Sequence, residues 1–203
     1  MLEIQNPTGD EWTSIDTTRP LSSGDHIRTG NQDSQALVTW FNDESSMTLE
    51  TNTDLTFATL DTADDTTFII DMELVQGRLL HNISEPVDAT LFYRIQTQPG
   101  AAITAQNAVF AIDLFEDGTL SVAVAEGEVG ILEEIEDAEL SITATPEPDA
   151  IVETGRMVTI SPNGTSTEIS LQAGLDGGDV LALILNDFYR EVLATREATP
   201  TPQ

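Results

Sequence analysis

The chain has 203 residues, no cysteine and a formal net charge of −29 at pH 7, because 36 acidic residues stand against only 7 basic ones. This charge excludes binding to nucleic acids and to anionic membrane surfaces, and the lack of cysteine excludes disulfides, thiolate catalysis and cysteine-based metal sites. The length suits one domain with its own core, and a hydrophobic fraction of 39% is sufficient for a β-rich fold.

Alternation of apolar and polar residues predicts β-strands over most of the first 171 residues, because Thr, Val and Ile at every second position suit half-buried pleated strands. The predicted strands are Ala36–Phe41, Met47–Phe57, Phe68–Leu74, Arg78–Ile83, Thr90–Thr97, Ala108–Phe115, Leu120–Ala125, Glu128–Leu132, Val158–Ile160 and Glu168–Leu171. Turn signals such as Asp117-Gly118 separate them. The pattern predicts an all-β domain over residues 1–175, either a twisted two-sheet sandwich or a short β-solenoid.

A glycine just before an apolar strand recurs four times, at Gly24, Gly77, Gly127 and Gly155. Glycine permits a tight bend at such a position because it has no side chain. The spacing between the four copies is irregular, so they do not form a fixed-period repeat. We expect strands that wrap round a common core and enter it through similar corners.

The last third of the chain contains an acidic segment and one predicted helix. Residues 133–150 are rich in glutamate and contain two prolines, which predicts an exposed excursion from the β-domain. Asp179 follows two glycines and is suited to cap a helix, which we place within residues 176–196. The polar, proline-bearing residues 197–203 predict a disordered tail.

The predicted helix carries an apolar stripe at helical spacing. Its members include Leu181, Ile184, Leu185 and Phe188. The first interpretation is that this stripe packs on the β-core, as amphipathic helices commonly do within a domain. The alternative is that these four residues form a partner-binding face or a contact between subunits.

Five segments, taken in order, resemble the FecR domain, a bacterial extracytoplasmic sensing and signalling module. They are Leu21–Gly30 (LSSGDHIRTG), Phe41–Leu55 (FNDESSMTLETNTDL), Leu74–Leu80 (LVQGRLL), Ile95–Asp113 (IQTQPGAAITAQNAVFAID) and Asp117–Val129 (DGTLSVAVAEGEV). The resemblance spans about residues 20–160 and departs from the family pattern at Thr97-Gln98-Pro99 and at Asn107-Ala108. It implies a non-catalytic β-module that binds proteins outside the cytoplasm, in signalling or in scaffolding of the cell envelope.

Side chains that could carry chemistry are few. His26 and His81 are the only histidines, and neither has a nucleophile or an acid at a useful spacing. We therefore predict no catalytic residue, no enzyme activity and no cofactor. Asp61, Asp64 and Asp65 are weak candidates for divalent-cation binding, and a solvated acidic loop is the simpler interpretation because the ligand series of a calcium loop is missing.

The predicted function is thus that of an extracytoplasmic module that recognises a protein partner through a sheet edge or through the helix face. The first residues, MLEIQNPTGDEW, lack the basic and apolar regions of a signal peptide, so we expect the targeting segment to lie outside this chain. One rival is a structural β-protein that self-assembles through strand edges, with another copy as its partner. The second is a Ca²⁺-dependent adhesin-like or carbohydrate-binding domain, which an aromatic content of 5% disfavours.

Overall fold

The computed structural model describes residues 1–9, 11–16, 18–31, 34–40, 45–64, 66–84, 86, 88–97, 101–132 and 147–198. Within them the secondary-structure elements follow one another along the chain. They are β1 (Leu2–Gln5), β2 (Thr13–Ser14), β3 (His26–Thr29), β4 (Ala36–Trp40), β5 (Ser45–Leu49), β6 (Asp54–Asp64), β7 (Thr67–Ile83), β8 (Thr90–Thr97), β9 (Ala102–Leu114), β10 (Leu120–Leu132), β11 (Ala150–Glu153), β12 (Arg156–Ile160), β13 (Ser166–Ser170), α1 (Leu171–Gly177) and α2 (Val180–Ala198).

The strands form one open mixed sheet in the order β13-β12-β10-β9-β8-β7-β6-β3-β1-β2. Strand β5 pairs with the second half of β7, and β4 pairs with β5, so these two strands branch off the main order. All pairs are antiparallel except that of β7 with β8, which is parallel. The pairing therefore confirms a mostly β fold, while the choice between a sandwich and a solenoid stays a prediction.

Strand β7 bends back toward its own beginning. It has 17 residues and would be roughly 53 Å long if it were straight. Strand β8 begins at Thr90, directly beside Thr67, and the link from Ile83 to Thr90 reaches at most roughly 25 Å. The two ends of β7 must therefore lie within roughly 30 Å of each other, which a straight strand of this length does not permit.

The bend falls at Gly77, which has a φ of 98°. A Cβ atom added there would lie 2.5 Å from Thr53 Cα, so no other residue fits without a shift of the backbone. Strands β9 and β10 are irregular at a matching level, where Gly127 has a φ of 81° and packs against Asn107. Of the four recurring glycines, Gly77 and Gly127 thus lie inside the long strands β7 and β10, where these strands bend.

Two arginine–aspartate pairs link β7 to its neighbours on either side of the bend. Arg94 on β8 donates two hydrogen bonds to Asp71, of 2.9 and 2.8 Å, and both side chains are buried. Arg78, which is half-buried, contacts one carboxylate oxygen of Asp113 on β9 through two of its nitrogens. Burial raises the pKa of Asp113, and the Arg78 guanidinium opposes that rise. Loss of either arginine would leave a buried carboxylate without its opposite charge, which destabilises a fold strongly.

The bent strands enclose one main hydrophobic core. Phe57 and Met72, which precede the bend, belong to the same buried cluster as Leu79, Phe110 and Val122, which follow it. A second, smaller cluster lies on the opposite face of the sheet, where side chains of α2 cover β7, β9, β10 and β12. Successive strand residues point to opposite faces, so Leu79 faces the main core and Leu80 faces the helix.

The C-terminal helix begins where the sequence predicts it. The Asp179 carboxylate accepts a hydrogen bond of 3.0 Å from the Ala182 amide, which is the expected capping contact. The helix continues to Ala198, however, so residues 197 and 198 belong to it and not to a tail; residues 199–203 lie outside the described part. A second helix, α1, was not predicted, and it contains residues 176 and 177.

Other differences concern where strands begin and end. The predicted strand Met47–Phe57 is two strands, β5 and β6, because Asn52 adopts a φ of 56° in the turn between them. Conversely, Phe68–Leu74 and Arg78–Ile83 are one strand that continues through its bend. Strands β1, β2 and β11 were not predicted, whereas β3 is the apolar strand expected after Gly24; most of the acidic segment 133–150 lies outside the described residues.

We predict that Gly77→Ala destabilises the fold far more than Gly155→Ala. Both glycines have positive φ, so alanine brings a backbone strain of roughly 1–2 kcal/mol at either position. Only at Gly77 does the new Cβ atom also meet backbone atoms, because nothing lies within 4 Å at Gly155. Urea unfolding would measure the two free energies, and an equal loss in both variants would contradict the role of the bend.

Candidate functional site

An open groove of about 840 Å³ lies beside strand β4. Strand β4 forms one wall, residues 15–16 and 18–21 form another, and the end of β6 with the start of β7 forms the third. We call residues 15–16 and 18–21 the N-terminal strap. A volume of this size is typical of sites that bind a ligand or a peptide segment.

Strand β4 is an edge strand along this groove. It pairs with β5 on one side, and no strand in the described ranges pairs with its other side. Charged residues and proline usually protect an exposed edge strand from pairing, and the sequence of β4, ALVTW, contains neither. Leu37 has 68% of its surface exposed. The free backbone groups of β4 are therefore a template on which another strand could pair.

The floor of the groove is formed by residues at the edge of the main hydrophobic core. Ile27, Val38 and Ile70 line it and belong to the buried cluster. Ile15 and Trp40 also line it, and they pack on that cluster while remaining half-buried. Apolar side chains that entered here would complete the packing of these residues and would exclude water from them.

Specific contacts hold the N-terminal strap and the chain next to it. The Ile15 amide donates a hydrogen bond of 2.9 Å to the Leu2 carbonyl. The Arg28 guanidinium lies 3.9 Å from the ring centre of Trp12, a cation–π contact just before the strap. Arg19 Nη2 lies 3.7 Å from the buried carboxylate of Asp25. These contacts keep the strap beside the groove.

Acidic side chains stand on the rim of the groove. Asp16 lies on the strap and Asp61 lies near the end of β6, and both are exposed. Arg19 is the one basic residue among the described residues that line the groove. The rim is therefore net acidic, in keeping with the charge of −29 for the whole chain.

The predicted helix stripe lies against the sheet. Leu181 and Leu185 are buried in the second cluster with Leu80 and Val109, while Ile184 and Phe188 pack against that cluster and are half-buried. This is the first of the two interpretations of the stripe. A partner would reach Leu181 and Leu185 only if α2 left the sheet, so the role of the stripe in partner binding stays a prediction.

The predicted cation-binding residues are only partly described. Asp61 accepts a hydrogen bond of 2.7 Å from the Thr62 amide. Asp64 lies in β6, and Asp65 lies outside the described residues. No group of three or more acidic or histidine side chains in the described ranges is placed to hold a metal ion.

The two histidines occupy different surroundings. His26 is half-buried at the surface, contacts the Asp54 carboxylate and meets Trp12 edge-on. His81 is fully buried and stacks on Phe110 with 4.4 Å between ring centres. Its Nδ1 lies 2.8 Å from the Tyr93 hydroxyl, and among the described atoms its Nε2 has no hydrogen-bond partner. Burial lowers the pKa of His81 to about 3, so the ring is neutral at physiological pH.

The chain belongs to the FecR protein family, since it matches the family over residues 25–130, just over half of its length. The sequence resemblance, which extended over about residues 20–160, is thereby confirmed. The matched residues include β4, the end of β6 and the start of β7, which line the groove. The N-terminal strap and helix α2 lie outside the match.

A solved structure with a similar fold is a chain described as a "putative anti-sigma factor" from Parabacteroides distasonis. The sequences are 17% identical and the TM-score is 0.50 over 71% of this chain. The similarity covers 59% of the other chain, so the two share a fold over part of their lengths. No curated protein matches the sequence. No helix in the described part of the chain is long and apolar enough to cross a membrane.

The sequence pointed to a sheet edge in general terms but not to the groove. Its three walls come from residues 15–16 and 18–21, from β4, and from residues 60–62 with 68–70, which lie far apart in the chain. The one local signal was that β4 lacks any charge or proline, a feature that distinguishes an unprotected edge only once the strand order is known.

We predict that His81→Gln removes a large part of the acid sensitivity of folding. Below pH 6.5 the unfolded chain takes up a proton at His81, whereas the folded chain does so only near pH 3. Stability that is present above pH 6.5 is therefore lost as the pH falls toward 3, by up to about 1.4 kcal/mol per pH unit. Glutamine can still hydrogen-bond to Tyr93 but does not titrate.

The measurement is urea unfolding of wild type and variant between pH 7 and pH 4. The free energy of unfolding of the wild type minus that of His81→Gln should fall by about 3 kcal/mol between pH 7 and pH 4. Phe110→Leu is the matched control, because it disturbs the same packing and leaves His81 in place, so its pH dependence should remain that of the wild type. A wild-type pH dependence in His81→Gln would contradict the prediction.

Proposed function

We propose that this chain is a non-catalytic signalling module that acts outside the cytoplasm and binds a protein partner at the groove beside β4. The observation that carries the proposal is an edge strand without charge or proline that borders a groove with an apolar floor on the main core. Membership of the FecR family supports a regulatory role, and so does the description of the structurally similar chain as a "putative anti-sigma factor".

Strand addition is the mechanism that this geometry favours. A partner segment that pairs with β4 would gain its affinity from main-chain hydrogen bonds and its specificity from side chains that enter the groove. Neither step requires a cofactor or a bond-making reaction. The strap and the bent sheet are already in place, so little ordering of this chain would accompany binding.

Self-assembly through the same edge is the second candidate. An exposed, uncharged edge strand can pair with its own copy, and this would make the chain a structural or scaffolding protein. The charge of −29 on every copy opposes such an association. We therefore place binding to a different protein first.

We predict that Leu37→Arg changes gene expression in the bacterium that encodes the protein, whereas Leu183→Arg does not. Leu37 projects from the edge strand, and Leu183 is a comparably exposed leucine on α2 that does not line the groove. RNA sequencing of cells that carry the full-length variants would measure the effect. Identical transcripts in wild type, Leu37→Arg and a strain without the protein would contradict a regulatory role.

The placement outside the cytoplasm has its own test. A protease added to cells whose outer permeability barrier has been opened should cleave the β-domain while a cytoplasmic marker stays intact. Cleavage only after complete lysis would overturn this part of the proposal and would leave the binding mode unaffected.

A further inference from the structure

We propose that the groove beside β4 takes an extended segment of another protein in which apolar and basic side chains alternate. The segment would pair with β4 as an added strand, with its apolar side chains in the groove and its basic side chains at the acidic rim. This inference rests on the proposed function and deepens it by naming the chemistry of the partner.

The extended form follows from the edge strand. The five residues of β4 offer a template of roughly 17 Å, which suits a partner strand of similar length. Side chains alternate between the two faces of a strand, so only every second partner residue can enter the groove. The residues between them would face the solvent and the rim.

The apolar half of the pattern follows from the floor of the groove. Ile15, Trp40 and Phe68 pack on the core but remain half-buried. All three line the same groove. Apolar side chains of the partner would therefore bury surface that this chain leaves exposed, which is favourable at roughly 25 cal/mol for each Å² of apolar surface.

The basic half follows from the charge. Asp16 and Asp61 stand on the rim, and the chain as a whole carries a charge of −29. The negative electrostatic potential would attract positively charged side chains of the partner. It would also raise the rate at which the two proteins associate.

The same charges disfavour a second copy of this chain as the occupant. The sequence from Gly30 to Ser46 contains Asp33, Asp43 and Glu44 but no basic residue. Pairing of β4 with β4 of another copy would join two chains of −29 each, and each chain has only acidic charges in the sequence next to β4. A basic partner removes both costs.

A designed peptide tests the proposal directly. The probe is a fluorescein-labelled, capped nine-residue peptide in which Lys and Val alternate, and binding to the 203-residue chain is followed by fluorescence anisotropy. The first control replaces every Lys with Glu. The second replaces the two central Val residues with Pro, which keeps the charge and prevents strand pairing. We expect binding of the Lys-Val peptide and at least a tenfold loss with either control.

Variants of the chain locate the binding site. Leu37→Arg should weaken binding at least tenfold, and Leu183→Arg should leave it unchanged. The double variant D16N/D61N should weaken binding roughly three- to tenfold by removing the rim charges. D176N/D187N is its matched control, because it removes two exposed acidic charges from the helices and should have little effect.

Four results would overturn the proposal. The first is equal binding of the Lys-Val peptide and its proline version, which would indicate charge attraction without strand pairing. The second is equal binding by Leu37→Arg and Leu183→Arg. The third is an oligomer in light scattering that Leu37→Arg converts to monomers, which would assign the groove to a second copy. The fourth is no binding of the Lys-Val peptide; if Leu37→Arg still changes gene expression, the proposed function stands and only this partner chemistry is rejected.

Discussion

The bend in the long central strands is the constraint on which the rest of the structure depends. Gly77 lets β7 turn because no side chain could fit between it and Thr53, and Gly127 meets Asn107 at a comparable bend between β9 and β10. Without these bends one open sheet could not place residues from both halves of each strand in a single core. The bend also gives the second half of β7 new neighbours, namely β5 and the second half of β9.

The groove is a consequence of this arrangement. Strand β5 pairs with β7 only beyond the bend, and β4 pairs only with β5, so the branch ends in an edge strand beside the uncovered margin of the core. On the opposite face of the same half of the sheet, α2 covers the strands with Leu181 and Leu185. The sheet is thus covered by its own helix on one face and is open at the β4 edge, and this asymmetry favours the groove over the helix face in the proposed binding.

The sequence predicts those features that depend on neighbouring residues. Alternation in β8 and β9 and the stripe of α2 are local patterns, and each led to the right type of element. Features set by distant contacts could not be predicted. Asn52 interrupts an otherwise alternating run, and Gly77 continues one strand where a break was expected, because in each case pairing with a remote segment decides the outcome. The groove needs three such remote segments at once.

The central claim is that partners bind at the edge of β4 and not on the helix face. Hydrogen exchange read by mass spectrometry, with and without the alternating Lys-Val peptide, tests it most directly because it reports on each backbone amide segment separately. The account predicts slower exchange in the peptides that contain residues 36–40, with no change in those that cover Val180–Ala198. Slower exchange in the helix with none in β4 would contradict it and would assign binding to the helix face.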